Sequence, residues 1–141
     1  MATLFTRIID GDIPGRFVWR DDRCVVFLTI NPLAPGHALV VPREEVDHWI
    51  DLPEDLAAHL WVVAQQVGRA QQAAFSPIKV GVLVAGEEVP HTHVHLIPFT
   101  SVRQLEIGNA QTDPDQAALD DAADRLRAAL REAGHPETVD A

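Results

Sequence analysis

The chain has 141 residues, 47% of them apolar and 23% charged, with a mean hydropathy of +0.00. That describes one globular domain, large enough for a real core and too small for two. Its 21 acidic and 11 basic residues leave a net charge of −10, which lacks the basic surface that a nucleic-acid partner requires. No apolar run approaches the roughly 18 residues of a membrane span, and the N-terminus carries no signal-peptide pattern. The single cysteine, Cys24, excludes a disulfide framework and a cysteine-based zinc cluster. It lies in Cys-Val-Val-Phe-Leu and reads as a buried structural thiol. A cytoplasmic protein with no membrane contact is expected.

In chain order, Phe5, Ile8 and Ile9 fall at i, i+3 and i+4 and end at Gly11, predicting a short helix from Leu4. Ile13-Pro14-Gly15 is a turn signal. Phe17-Val18-Trp19-Arg20 and Cys24-Val25-Val26-Phe27-Leu28 read as two strands joined through Asp21 and Asp22. The loop Asn31-Pro32-Leu33-Ala34-Pro35-Gly36 leads into a third strand, His37 to Pro42. Asp51 and Glu54 have the spacing of a capping box. Leu56, Leu60, Val63, Val67, Ala70 and Ala74 then form one apolar stripe of a long helix that Ser76-Pro77 ends. Ile78 to Val84 is a strand, expected to pair as a hairpin with His91 to Ile97 through a tight Ala85-Gly86-Glu87-Glu88 loop. Asp113 can cap a last amphipathic helix, about 114–133, with Pro114 at its first position and Gly134 beyond its end. It should pack on the body or on a partner chain. The order helix, three strands, helix, two strands, helix reads as α+β with an antiparallel sheet, a single domain over residues 1–141.

The richest stretch is Val89-Pro90-His91-Thr92-His93-Val94-His95-Leu96-Ile97-Pro98, which holds three of the seven histidines at i, i+2 and i+4. On an extended backbone these rings share one face, stepping about 6.6 Å per two residues, while Thr92, Val94 and Leu96 face the other way. Pro90 and Pro98 bracket the segment and should stand outside the ladder. Three uses fit such a row: a solvated polar strip, a metal site of two or three imidazoles, or covalent catalysis by one ring oriented by its neighbours. His48, His59 and His135 lack any comparable context.

The pattern His-x-His-x-His followed by Leu96 and Ile97 resembles the signature of the histidine-triad (HIT) family of nucleotide hydrolases and transferases. The resemblance runs from about Leu4 to Phe99. Phe5-Thr6-Arg7-Ile8-Ile9-Asp10-Gly11-Asp12-Ile13-Pro14 is similar to the family's opening block, and Phe27 to His37 with Leu39-Val40-Val41-Pro42 to its next. Residues 101–141 lie outside it. The resemblance implies a HIT-like fold: a five-stranded antiparallel sheet with a long central helix and a short N-terminal one. It also implies a homodimer whose sheets join edge to edge, no metal or other cofactor, and a small nucleotide-like substrate attacked at its α-phosphorus.

By position, His93 would be the nucleophile and form a nucleotidyl-imidazole intermediate. His95 would bond the α-phosphate or the leaving group, and His91 would fix the tautomer of His93. His37 matches the family's fourth site histidine, and Phe5, Ile8, Phe27 and Ile30 match its base pocket. Three positions depart from the pattern: Thr29 replaces a ribose-binding carboxylate, and Glu87 and Glu88 replace polar phosphate donors. Carboxylates beside a phosphate repel it, so a HIT fold that binds a ligand with little turnover is the alternative. A metal-dependent hydrolase built on the three histidines with Glu87 or Glu88 is the third reading.

Overall fold

Two inner strands, Cys24–Leu28 and Ala38–Pro42, are apolar and buried at every position, so the sheet built on them needs cover on both faces. The computed structural model describes residues 1–140. The strands are β1 (Phe17–Arg20), β2 (Cys24–Leu28), β3 (Ala38–Pro42), β4 (Lys79–Leu83) and β5 (Val94–Phe99), all antiparallel, in the order β1-β2-β3-β5-β4. Helices α2 (Glu54–Phe75) and α3 (Gln116–Glu132) cover one face, and the short α1 (Leu4–Ile9) lies on the other. The fold is α+β and HIT-like, as expected from the sequence.

The register explains the two cores. Val40 pairs with Val94 and Ala38 with Leu96, and all four face α2 together with Val26 and Leu28. Leu39 pairs with His95 on the opposite face, beside Val25, Phe27 and Val41, where Phe5 and Ile8 of α1 close over them. On α2 the predicted stripe is buried at Leu56, Leu60, Val63, Val67 and Ala70. Buried Gln71 donates from Nε2 to the carbonyl oxygens of Gly36 (2.9 Å) and Leu96 (3.0 Å). One amide thereby ties α2 to the turn before β3 and to β5.

Five expectations need correction. The histidine strand begins at Val94 rather than His91, so His91 and His93 sit in the segment leading into β5 and only His95 is inside it. The β4–β5 pairing is correct, but its connection runs through residues 84–93 and is not a tight loop. Pro98 lies within β5, opposite Val80. It is tolerated because the β3 ladder ends at Ala38–Leu96, leaving that side of Pro98 without a partner. No capping box opens α2: Trp49–Asp51 form a 3-10 turn and Pro53 holds the cap position. At α3 the cap is Asp115, not Asp113, because its carboxylate reaches the Ala117 amide at 3.1 Å.

The C-terminal segment packs on the body. Ala122, Ala123, Leu126 and Leu130 of α3 join the α2-side core, and Arg127 donates to the Phe17 carbonyl at 2.8 Å. Gly134 (φ +86°) then turns the chain back. The Arg20 amide donates to Glu137, and the Val139 amide to Val18, so the tail covers the outer edge of β1. The other edge, β4, is uncovered among the described residues.

Candidate active site

Three backbone features bring the histidines together. Gly36, at φ +86°, lies against the Phe75 ring so closely that a Cβ would meet it at 2.4 Å. Only glycine allows that turn, and it delivers His37 to the start of β3. The pairing of Leu39 with His95 sets His95 across from that turn. The segment before β5 is held by the Thr92 amide and hydroxyl, which both donate to the Val46 carbonyl, at 2.8 and 2.7 Å.

Hydrogen-bond polarity then assigns the proton on each neutral ring. The Leu33 amide donates to His37 Nδ1 (3.0 Å), so His37 carries its proton on Nε2 and donates it to His95 Nδ1 (2.9 Å). His95 therefore holds its own proton on Nε2. His93 Nδ1 lies 2.8 Å from the His91 carbonyl oxygen, which can only accept, so Nδ1 is protonated and Nε2 keeps its lone pair. The ring of His91, with no exposed surface, is committed elsewhere. Its Nε2 donates to the Pro42 carbonyl (2.7 Å), and its Nδ1 faces the Thr3 hydroxyl (2.7 Å). The contact that orients His93 is thus the carbonyl of His91 rather than its imidazole.

Burial governs the charge of these rings. His37 is brought down to about 3 by burial, then by the His95 and His93 rings. His95 is brought to about 4 by burial and by His93. His93 is lowered by burial, with the His91 carbonyl and Glu88 pulling the other way. A row of neutral imidazoles results. The Phe5 ring packs edge-on against His93, with centroids 4.8 Å apart.

His93 and His95 open onto a cavity of about 560 Å³, lined also by Phe5, Ile8, Phe27, Thr29, Ile30, Glu87 and Glu88. Every substrate-side residue singled out in the sequence therefore meets there. His91 and His37 do not line it; they reach it through their bonds to His93 and His95. Thr29 Oγ1 accepts the Asn31 amide at 3.2 Å, which leaves its proton free for another acceptor.

Sequence reasoning missed the contribution of the C-terminal segment. Ile107 and Asp120 also line the cavity, and Asp120 pairs with Arg16 at 2.8 Å across the rim. Asn31 is tied to the same segment through the Gln111 carbonyl (2.7 Å). No periodicity or motif links Arg16 to Asp120; only the packing of α3 beside β1 does. His59, read as lacking context, bonds Asp21 at 2.8 Å. Asp21 also takes the Trp19 indole and the Arg23 and Cys24 amides, and these bonds outweigh the opposing effect of burial to bring its carboxyl to about 2. Among the described residues, Asp21, Cys24 and His59 are where three metal-type ligand atoms converge, not the histidine row. They form a hydrogen-bonded knot at the β1–β2 turn.

The HIT domain model matches residues 10–102, more than half of the chain. The chain is 33% identical over 100 residues to "Protein hit" of Bacillus subtilis, covering 67% of this chain and 69% of that protein. A zinc-bound histidine triad family protein from Mycobacterium smegmatis superposes with a TM-score of 0.81 at 26% identity, covering 94% of this chain and 96% of that one. A HIT family hydrolase from Legionella pneumophila gives 0.59 at 28% identity, covering 68% and 91%. The order of the strands, the row of histidines and these likenesses agree: the chain belongs to the HIT domain family.

Proposed function

We propose that the protein is a nucleotide hydrolase or transferase in which His93 Nε2 attacks the α-phosphorus of a nucleotide derivative. The observation that carries this reading is the 2.8 Å contact of His93 Nδ1 with the His91 carbonyl, which leaves Nε2 as an unprotonated nucleophile in the cavity wall. In the first step a nitrogen–phosphorus bond forms and the bond to the leaving group breaks. His95, protonated on Nε2 through its bond with His37, can donate to the departing group or to a phosphoryl oxygen. In the second step water attacks the phosphorus, releases the nucleotide and returns His93 to its starting form. Phe5, Ile8, Phe27 and Ile30 offer an apolar bed for a base. The HIT hydrolase of Legionella pneumophila supports the same reaction class.

His93→Ala is expected to abolish turnover of nucleoside phosphoramidates and dinucleoside polyphosphates, with only a small loss of melting temperature. Full activity in that variant would refute the assignment. A second reading, a nucleotide-binding protein with weak turnover, draws on Glu87, Glu88 and Thr29 in the cavity wall.

A homodimer is part of the proposal. The tail covers the β1 edge, while β4 presents an open edge with Val82 exposed, and Trp61 and Val62 of α2 lie 61% and 55% exposed. No helix among the described residues is long and apolar enough to cross a membrane. We propose a cytoplasmic protein without a nucleic-acid partner, a reading that the lone buried thiol, Cys24, and the acidic charge support.

A further inference from the structure

We propose that Thr3 is a positioning residue for the nucleophile: its hydroxyl proton fills the acceptor nitrogen of the His91 tautomer that the Pro42 carbonyl selects, and so holds the carbonyl that orients His93. The inference rests on His93 being the nucleophile. Thr3 stands at the N-cap of α1, and its hydroxyl has two separable halves. The oxygen accepts the Thr6 amide at 3.1 Å, which is the ordinary cap bond. The proton is not needed for that. It has two candidate acceptors, Thr6 Oγ1 at 3.3 Å and His91 Nδ1 at 2.7 Å.

The surrounding bonds choose between them. Glu45 accepts the Thr6 hydroxyl at 2.6 Å and the Thr3 amide at 2.8 Å, so Thr6 has given its own proton away and offers only a distant lone pair. His91 Nε2 donates to the Pro42 carbonyl at 2.7 Å, so in the neutral ring Nδ1 is an acceptor. The Thr3 proton therefore goes to His91. The ring of His91 is completely buried, and leaving its Nδ1 without a donor would desolvate it for nothing.

The network joins three separate pieces of chain: the start of α1, the end of β3 with Glu45 beyond it, and the segment leading into β5. All three meet at His91, whose carbonyl bonds His93 Nδ1. The same α1 carries Phe5, whose ring lies edge-on to both His91 (5.8 Å) and His93 (4.8 Å). A cap that served only the helix would need no donor. The short contact to a buried imidazole behind the nucleophile gives Thr3 its second role.

Three variants separate the two halves of the hydroxyl. Thr3→Ser keeps both, Thr3→Asp keeps a good cap acceptor but has no proton to give, and Thr3→Val has neither. Proton–nitrogen correlation spectra of the nitrogen-labelled full chain report which ring nitrogens of His91 and His93 are protonated. Histidine adduct formation with a nucleoside phosphoramidate, and titration with adenosine monophosphate, complete the set. In the parent, His91 should be protonated on Nε2 and His93 on Nδ1. Thr3→Ser should form adduct at the parental rate, while Thr3→Asp and Thr3→Val should slow it at least about tenfold with affinity for the monophosphate little changed. Both should also shift the His91 nitrogen signals. An Nδ1-protonated His91 in the parent, or parental adduct rates and unchanged His91 signals in Thr3→Asp, would overturn the proposal. If the parent forms no adduct at all, the nucleophile assignment fails, and the spectra still decide whether the Thr3 proton holds the His91 ring.

Discussion

At the scale of single residues, the site depends on which nitrogen carries which proton. His37 commits both ring nitrogens, while His95 and His93 each give one to a fixed partner and leave the other defined: donor at His95, acceptor at His93. Against that ordered row stand Thr29, Glu87 and Glu88, which line the same cavity. Two carboxylates near a phosphate oppose anion binding, and a threonine gives a ribose one uncharged bond in place of a carboxylate. Thr29→Asp combined with Glu87→Gln is therefore expected to tighten binding of adenosine and guanosine monophosphates by about fivefold or more. Calorimetric titration of both forms checks this. Tight binding by the parent with no gain in the double variant would mean that Glu87 turns its charge away from the phosphate.

At the scale of elements, the His37–His95 bond joins the turn before β3 to β5, and α2 braces both through Gln71. This link makes stability depend on pH in a definite direction. Both rings titrate far below the ordinary 6.5, His95 at about 4 and His37 at about 3. As pH falls, the unfolded chain binds protons first, so stability is complete above about 6.5 and declines as pH drops towards 4 and then 3. The melting temperature should fall between about pH 7 and about pH 5, and His37→Asn should flatten that fall. An equal fall in both proteins would contradict the account.

The elements also mark what could be read in advance. β1 and β2 stand where their apolar runs are, because flanking turn residues bound them on both sides. β5 was harder to place. Alternation alone does not distinguish extended chain from paired strand, so the pattern His91–Ile97 starts three residues before the strand does. Pairing is a property of the neighbour, and β3 offers partners only from Val94 to Leu96. For the same reason Pro98 was wrongly excluded from the strand. The residues that meet at the cavity are legible because the histidines and the apolar set lie in contiguous motifs. Arg16 and Asp120 are not, since the contact between them spans most of the chain and follows from α3 docking on β1.

At the scale of the whole molecule, one sheet carries two unlike faces and two unlike edges. The helical face is a sealed apolar core; the opposite face holds α1 and the cavity. The β1 edge is covered by the chain's own tail, and the β4 edge is open. An open edge that exposes Val82, with Trp61 and Val62 exposed on α2, should pair with a second copy. Sedimentation at micromolar concentration is expected to give a dimer, and Trp61→Glu with Val82→Lys a monomer; a monomeric parent would remove this part of the account.

The proposed reaction requires His93 to become covalently nucleotidylated. Rapid acid-free quenching of the protein with a nucleoside phosphoramidate, followed by peptide mass spectrometry, tests it directly. The expected result is one nucleoside monophosphate added to the peptide containing His91, His93 and His95, located on His93 by fragmentation and absent from His93→Ala. Turnover with no adduct, or an adduct on His95 that persists in His93→Ala, would contradict it.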